Sequence, residues 1–355
     1  MWKVVESWID RYFADEEAVL LSLLLLTGLV VIVTMGDLLA PFFAAVVFAF
    51  LLQGLVGLLK RWRVPHLLAV TIVFTGFLGL FFATLVFLFP IVIQQSSNLI
   101  QELPGMVRRW QGIILLLPER YPQLISEARL AELTTYVQHQ SGQFAEAAVA
   151  FSVSKFPNVI VIMLYLILVP LLVFFMLKDR AYLSGVMASL LPKKRPMMNQ
   201  VWQEMNIQIS NYIRGKALEI VIVGFATYIW FAVLGVRYAA LLALLVGLSV
   251  VIPYIGAAVV TIPVLLVGLF QWGWSNEFFW LFVAYSVIQF LDGNVLVPLL
   301  FSEVVNLHPV AIILAVLVFG GVWGFWGVFF AIPLATLVKA LYNAWPQNGP
   351  AESLS

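Results

Sequence analysis

Long apolar runs broken by short polar punctuation run through the chain. Residues 18–35 and 41–59 are each nearly unbroken hydrophobic stretches, close to the roughly 20 residues that cross about 30 Å of hydrocarbon. Only Gly36-Asp-Leu-Leu-Ala separates them, so they predict a helical hairpin, and 67–93 predicts a third membrane helix. From 94 to 156 the pattern changes. Glu102, Arg108, Arg109, Glu119, Arg120, Glu127, Arg129, Glu132 and Glu146 enter, while Leu130, Leu133, Val137, Phe144, Ala148 and Phe151 recur at helical spacing. That is the pattern of a small amphipathic helical domain outside the bilayer, with Pro104, Pro118 and Pro122 predicted to cut its first half into short helices. It would gate, bind a partner or pack between subunits.

Residues 157–177 return as a membrane helix, and 178–216 form a polar segment. There Met198, Val201, Trp202, Met205, Ile209, Tyr212 and Ile213 share one helical face, with Gln203, Glu204, Gln208 and Asn211 opposite. This amphipathic helix is expected to dock under the bundle formed by 217–341, leaving 342–355 as a tail. Residues 1–93 form the N-terminal membrane section.

Within the C-terminal bundle, 217–234 reads as one span and 237–270 as two short helices joined at Ile252-Pro-Tyr-Ile-Gly256. Laying 237–256 over 308–327 aligns twenty positions without a gap: each run ends on glycine, and an Ile-Pro step follows in each, Ile262-Pro263 and Ile332-Pro333. The pattern suggests two units, each one helix plus one hairpin, the second inverted relative to the first as in many secondary transporters. Expected breaks or hinges are Gly215, Pro253, Gly256, Gly293, Pro298, Gly324, Gly327 and Pro333, because glycine loosens a helix and proline removes a donor. The fold class is therefore all-α, a polytopic helical membrane protein with about eight membrane helices or hairpins, some broken or re-entrant.

Composition agrees. The chain is 63% hydrophobic and only 10% charged, against about 25% charged in a soluble domain, and its mean hydropathy is +1.03. A net charge of +1 offers no attraction for nucleic acid. With no cysteine and three scattered histidines, His66, His139 and His308, a metal centre or thiol chemistry is not expected. No Gly-x-x-x-x-Gly-Lys-Ser/Thr loop occurs, so ATP is not the direct motor and no cofactor is expected. The basic clusters Lys60-Arg-Trp-Arg63, Lys178-Asp-Arg180 and Lys193-Lys-Arg195 place their loops, and with them both termini, in the cytoplasm, and 94–156 outside.

Among polar residues in apolar surroundings, Asp292 stands out within 278–301, where a carboxylate must face protein or water. Arg214, Lys216 or Arg237 would be its partner. It either couples transport or caps a helix restarting at Gly293, with Asn294 and freed carbonyls beside it. Glu219 is three residues after Lys216, the spacing of a surface ion pair. Glu303, Asn306 and His308 cluster before Pro309, where His308 either titrates or starts a helix. Arg214, Glu219, Asp292, Asn294 and His308 are the transport-pathway candidates. No catalytic set emerges, because an intramembrane aspartyl protease needs two deep carboxylates and only Asp292 is deep in this pattern.

Asn211-Tyr-Ile-Arg-Gly-Lys216, Val251-Ile-Pro-Tyr-Ile-Gly256, Leu291-Asp-Gly-Asn-Val-Leu-Val-Pro298, Asn306-Leu-His-Pro309 and the run from Gly320-Gly-Val-Trp to Ala331-Ile-Pro333 resemble the autoinducer-2 exporter (AI-2E) family. The likeness spans essentially the whole chain. It implies a Gram-negative inner-membrane protein that forms homo-oligomers, a pentamer being one form. It also implies export of a small polar solute such as autoinducer-2, with sodium/proton antiport as the alternative. A non-transporting scaffold acting through 94–156 is the reading from a different class.

Overall fold

The computed structural model describes residues 16–115, 159–189, 191–301 and 307–345, and every regular element among them is helical. Eight helical runs among these residues are long and apolar enough to cross a membrane. The protein is a polytopic all-α membrane protein. The expected helices at 130–151, the breaks at Pro118 and Pro122, and Glu303 and Asn306 lie outside the described residues.

The N-terminal section contains α1 (Glu16–Met35), α2 (Ala40–Arg61) and α3 (His66–Ala83), followed by α4 (Phe89–Leu115) and α5 (Val159–Lys178). Helices α2, α3 and α5 pack around Ala45, Val56, Val70 and Val173, all fully buried. Helix α2 starts with Pro41 in its first turn and ends on Lys60 and Arg61, the polarity that suits a helix dipole. Helix α1 packs lightly, leaving Leu23, Leu26 and Val33 exposed.

Two expectations about prolines need correcting. Pro104 lies inside α4 and does not end it, so the boundary drawn at 93/94 falls within one helical run from His66 to Leu115. The run continues through a π-helical turn at Thr84–Leu88, just before Pro90. An identical arrangement occurs at Asp292–Leu296, just before Pro298. A widened turn moves the preceding carbonyls away from the proline ring, so both prolines are absorbed without a break.

Helix α6 (Arg180–Ser189) leads to α7 (Pro196–Leu234), a single helix of 39 residues and so about 58 Å long. The division drawn between 216 and 217 falls near its middle. The docked amphipathic helix and the next span are one element, because nothing between Tyr212 and Ala217 disrupts helical hydrogen bonding. Gly235 (φ 70) closes α7 as a left-handed cap.

Two hairpins pack against α7 from opposite ends. The first is α8 (Ala239–Ser249) and α9 (Ile255–Trp272). Helix α8 runs back along the C-terminal half of α7, where a methyl on Gly247 would stand 3.0 Å from the Gly224 Cα. After α10 (Asn276–Leu291) and α11 (Val297–Phe301), the second hairpin comprises α12 (Pro309–Phe329) and α13 (Ala331–Ala344). Gly324, at φ 58 and ψ −133, interrupts α12, and the chain folds back there so that Phe319 and Val328 pack together. Helix α13 descends the N-terminal half of α7, with Ala340 against Val201 and Met205.

Both hairpin turns carry a glycine in close backbone contact. Gly256 lies against the Ser249 carbonyl and Gly327 against the Phe319 carbonyl, each so closely that a side chain would collide with backbone. The hairpin tips therefore meet α7 about one helical turn apart, at Lys216 and at Tyr212, on either side of Gly215.

Candidate functional site

The centre of α7 carries the sequence Tyr212-Ile-Arg-Gly-Lys216-Ala-Leu-Glu219. Helical periodicity places Tyr212, Lys216 and Glu219 on one face, and all three are buried. The Tyr212 hydroxyl donates to the Phe329 carbonyl at 2.9 Å, tying the second hairpin to α7. Gly215 allows the ring of Phe301 to approach, since a Cβ there would stand 2.8 Å from a ring carbon.

Lys216 connects three elements. Its Nζ is 2.7 Å from Glu219 Oε2 and donates to the Val250 carbonyl at 2.9 Å. It also sits 5.0 Å from the centre of the Phe301 ring. Val250 caps the C-terminus of α8, where carbonyls lack intrahelical partners and the helix dipole favours a cation. The ammonium therefore satisfies both the end of a broken hairpin helix and a buried carboxylate. Glu219 does form the spaced pair expected from the sequence, in the interior rather than on the surface.

These groups line a cavity of about 580 Å³ together with Asp292, Gln289 and Gly293 from the α10–α11 region and Pro253 and Tyr254 from the first tip. Asp292 is half-buried, with Oδ1 shielded from solvent and without a hydrogen-bond partner. Lys216 is the cation that acts on it electrostatically, beyond ion-pair distance. The helix is continuous here. The carbonyl of Asp292 accepts from the Val297 N–H, so Asp292 does not cap a restarting helix, contrary to that expectation, while Pro298, having no N–H, leaves a carbonyl of the turn before it without a helical donor. It sits in a widened turn ahead of Pro298, which also lines the cavity.

The other candidates lie elsewhere. Arg214 faces α2, where a Cβ on Gly54 would be 3.1 Å from its guanidinium. Asn294 donates to the Phe290 carbonyl at 2.9 Å on an exposed face. His308 accepts from the Val310 N–H at 3.3 Å as the N-cap of α12, the helix-start role. Arg237 pairs with Glu102 at 3.4 Å at the base of the first hairpin. Of the expected hinges, Gly256, Gly324 and Gly327 sit at the hairpin turns, Pro253 at the first tip, and Pro333 in the first turn of α13.

Tyr212 is not among the sequence-based candidates, and Lys216 is named there only as a partner for Asp292 or Glu219 rather than as a centre of the site. A signal existed: Lys216 and Glu219 share a face and border the apolar run 217–234, where unpaired charges are costly. No group of three or more potential metal-ligating side chains occurs among the described residues.

The AI-2E family transporter model matches residues 20–347. The chain belongs to the AI-2E transporter family. It is 44% identical to PerM of Escherichia coli K12 over 358 residues, covering 99% of this chain and all of PerM. It is 27% identical to YueF of Bacillus subtilis, over 88% of this chain and 85% of YueF. It is also 24% identical to the AI-2 transport protein TqsA of E. coli K12, over 90% of this chain and 91% of TqsA. As an AI-2E family member, the chain is a multi-pass transport protein, and its cavity lies where the motif-bearing segments converge.

Proposed function

We propose that this protein is an inner-membrane secondary transporter that exports a small polar solute, driven by an ion gradient, through the cavity at the middle of α7. The carrying observation is the buried Lys216–Glu219 pair held against the tip of the first hairpin, with the second hairpin tied to Tyr212 one turn away and Asp292 lining the same space. Helix α8 has 11 residues and reaches only about 16 Å, roughly half the hydrocarbon thickness. A helix that short ends near the midplane, and discontinuous helices are how transporters expose polar groups there. The cavity falls within the roughly 300–1,000 Å³ usual for small-molecule sites. The name of TqsA supports an autoinducer-2-like solute. Basic clusters support cytoplasmic termini, and the family resemblance supports homo-oligomeric assembly.

One observation favours a second reading. The unpartnered Asp292 Oδ1 offers a place for a proton or Na⁺, which would make the protein a cation/proton antiporter.

Proteoliposomes loaded with a panel of radiolabelled small polar solutes, with and without a pH or Na⁺ gradient, test both readings. The expected result is gradient-dependent solute flux that is lost in Asp292→Asn. Flux of Na⁺ and H⁺ without any solute establishes the antiporter. Gradient-independent flux, or normal coupling in folded Asp292→Asn, overturns the role given to Asp292.

A further inference from the structure

We infer that Lys216 is a two-position latch for the first hairpin: its ammonium holds the Val250 carbonyl and Glu219 in this state, and Asp292 is the acceptor it moves to when the tip releases. The inference rests on the transport reading only for its place in the transport cycle; the latch itself stands on geometry.

In the observed position Lys216 is the polar link between α7 and the end of α8. It donates to Val250 O at 2.9 Å and forms an ion pair with Glu219 Oε2 at 2.7 Å. Lysine suits the task because an ammonium on a flexible four-carbon stem presents three rotatable donors without a fixed fork geometry. One donor is committed to Val250 and the charge is paired with Glu219, while the ammonium also faces the Phe301 ring and the cavity.

Across that cavity Asp292 has a shielded oxygen with no partner. A carboxylate oxygen cut off from water and from donors is costly, so a donor that reached it would be strongly held. Lys216 is the cation that acts on it, and both residues line one connected space. Two carboxylates and one lysine thus share a site in which the lysine is paired with Glu219 and not with Asp292.

The tip is built to move once released. Tyr254 stands at φ 61 and ψ −50, a region non-glycine residues rarely adopt, and such strain persists only where surrounding contacts impose it. When Lys216 turns to Asp292, α8 loses the cation at its C-terminus and the strained Val250–Tyr254 turn loses its anchor to α7. The tip then leaves the cavity floor and opens the space beside Ile252 and Ala257. A solute or proton that neutralises Glu219 would release the lysine toward Asp292, and one that engages Asp292 would hold it at Val250, which links occupancy to hairpin position.

The natural chain has no cysteine, so an Ala257→Cys protein reports the opening through its rate of reaction with a membrane-impermeant maleimide. The expected results are labelling at least tenfold faster with Lys216→Gln and at least threefold slower with Asp292→Leu, which removes the alternative acceptor. The double variant should label as fast as Lys216→Gln. A cysteine in place of Ser184, on α6 away from the hairpin, should react at an unchanged rate throughout. Unchanged labelling in Lys216→Gln, acceleration at both cysteines, or an Asp292→Leu rate equal to or above the parent's overturns the latch. If Lys216→Gln does not fold, the Asp292→Leu measurement decides alone. Absence of solute flux in the parent protein overturns the transport reading and leaves the labelling result standing.

Discussion

Lys216 and Glu219 lie one turn apart on α7 with their charged atoms 2.7 Å from each other and their side chains only 5% and 2% exposed. Such a pair has been removed from water entirely, and its stability consequences differ from those of a surface pair. Breaking it from one side leaves an uncompensated buried charge, at a cost of about 3–5 kcal/mol. Glu219→Leu is therefore expected to lower the melting temperature in detergent markedly. Lys216→Met with Glu219→Leu should recover a large part of the loss. Recovery should fall short of the parent, because the Val250 carbonyl also loses its donor. Thermal melts of the two single variants and the double form the cycle that checks this.

Gly215 and Phe301 give a prediction about shape. A methyl at 215 would stand 2.8 Å from the Phe301 ring. Overpacking of this kind costs about 1–3 kcal/mol. Gly215→Ala should destabilise by that order despite the better helix propensity of alanine. Gly215→Ala with Phe301→Leu should restore most of the stability, as read by thermal melting.

The hairpin turns predict a contrast among glycines. A side chain at Gly256 or Gly327 meets the backbone across its turn, whereas Gly57 on α2 has nothing within 4 Å. Gly256→Ala and Gly327→Ala are expected to abolish monodisperse protein in size-exclusion chromatography. Gly57→Ala should be neutral or gain up to about 1 kcal/mol, since alanine is the better helix former.

Topology gives the fourth prediction. Basic loops at 60–63, 178–180 and 193–195 are expected inside. Gln101→Cys should react with an impermeant reagent added to the outside of intact cells, and Ser184→Cys should react only in inverted vesicles. Reaction of Gln101→Cys only from the cytoplasmic side would reverse the orientation.

The sequence alone determined the solvent the protein lives in and the number of apolar helices, because burying backbone polar groups in lipid leaves few options other than helices with long apolar runs. Local pattern, however, marks breaks by residue type, and here it misled. Gly293 and Pro298 look like a break, yet a widened turn keeps the helix continuous; Pro104 is carried inside α4.

Only tertiary structure decided which polar residues share a site. Arg214 and Lys216 are two residues apart and equally basic, but about 200° of helical rotation separates them. One faces Gly54 on α2 while the other faces Glu219 and Val250. Asp292 and Asn294 part in the same way, one lining the cavity and the other bonding its own helix. Which side faces the hairpin tips depends on packing between segments far apart in the chain, and a sequence pattern carries that information only as a face, without saying what the face meets.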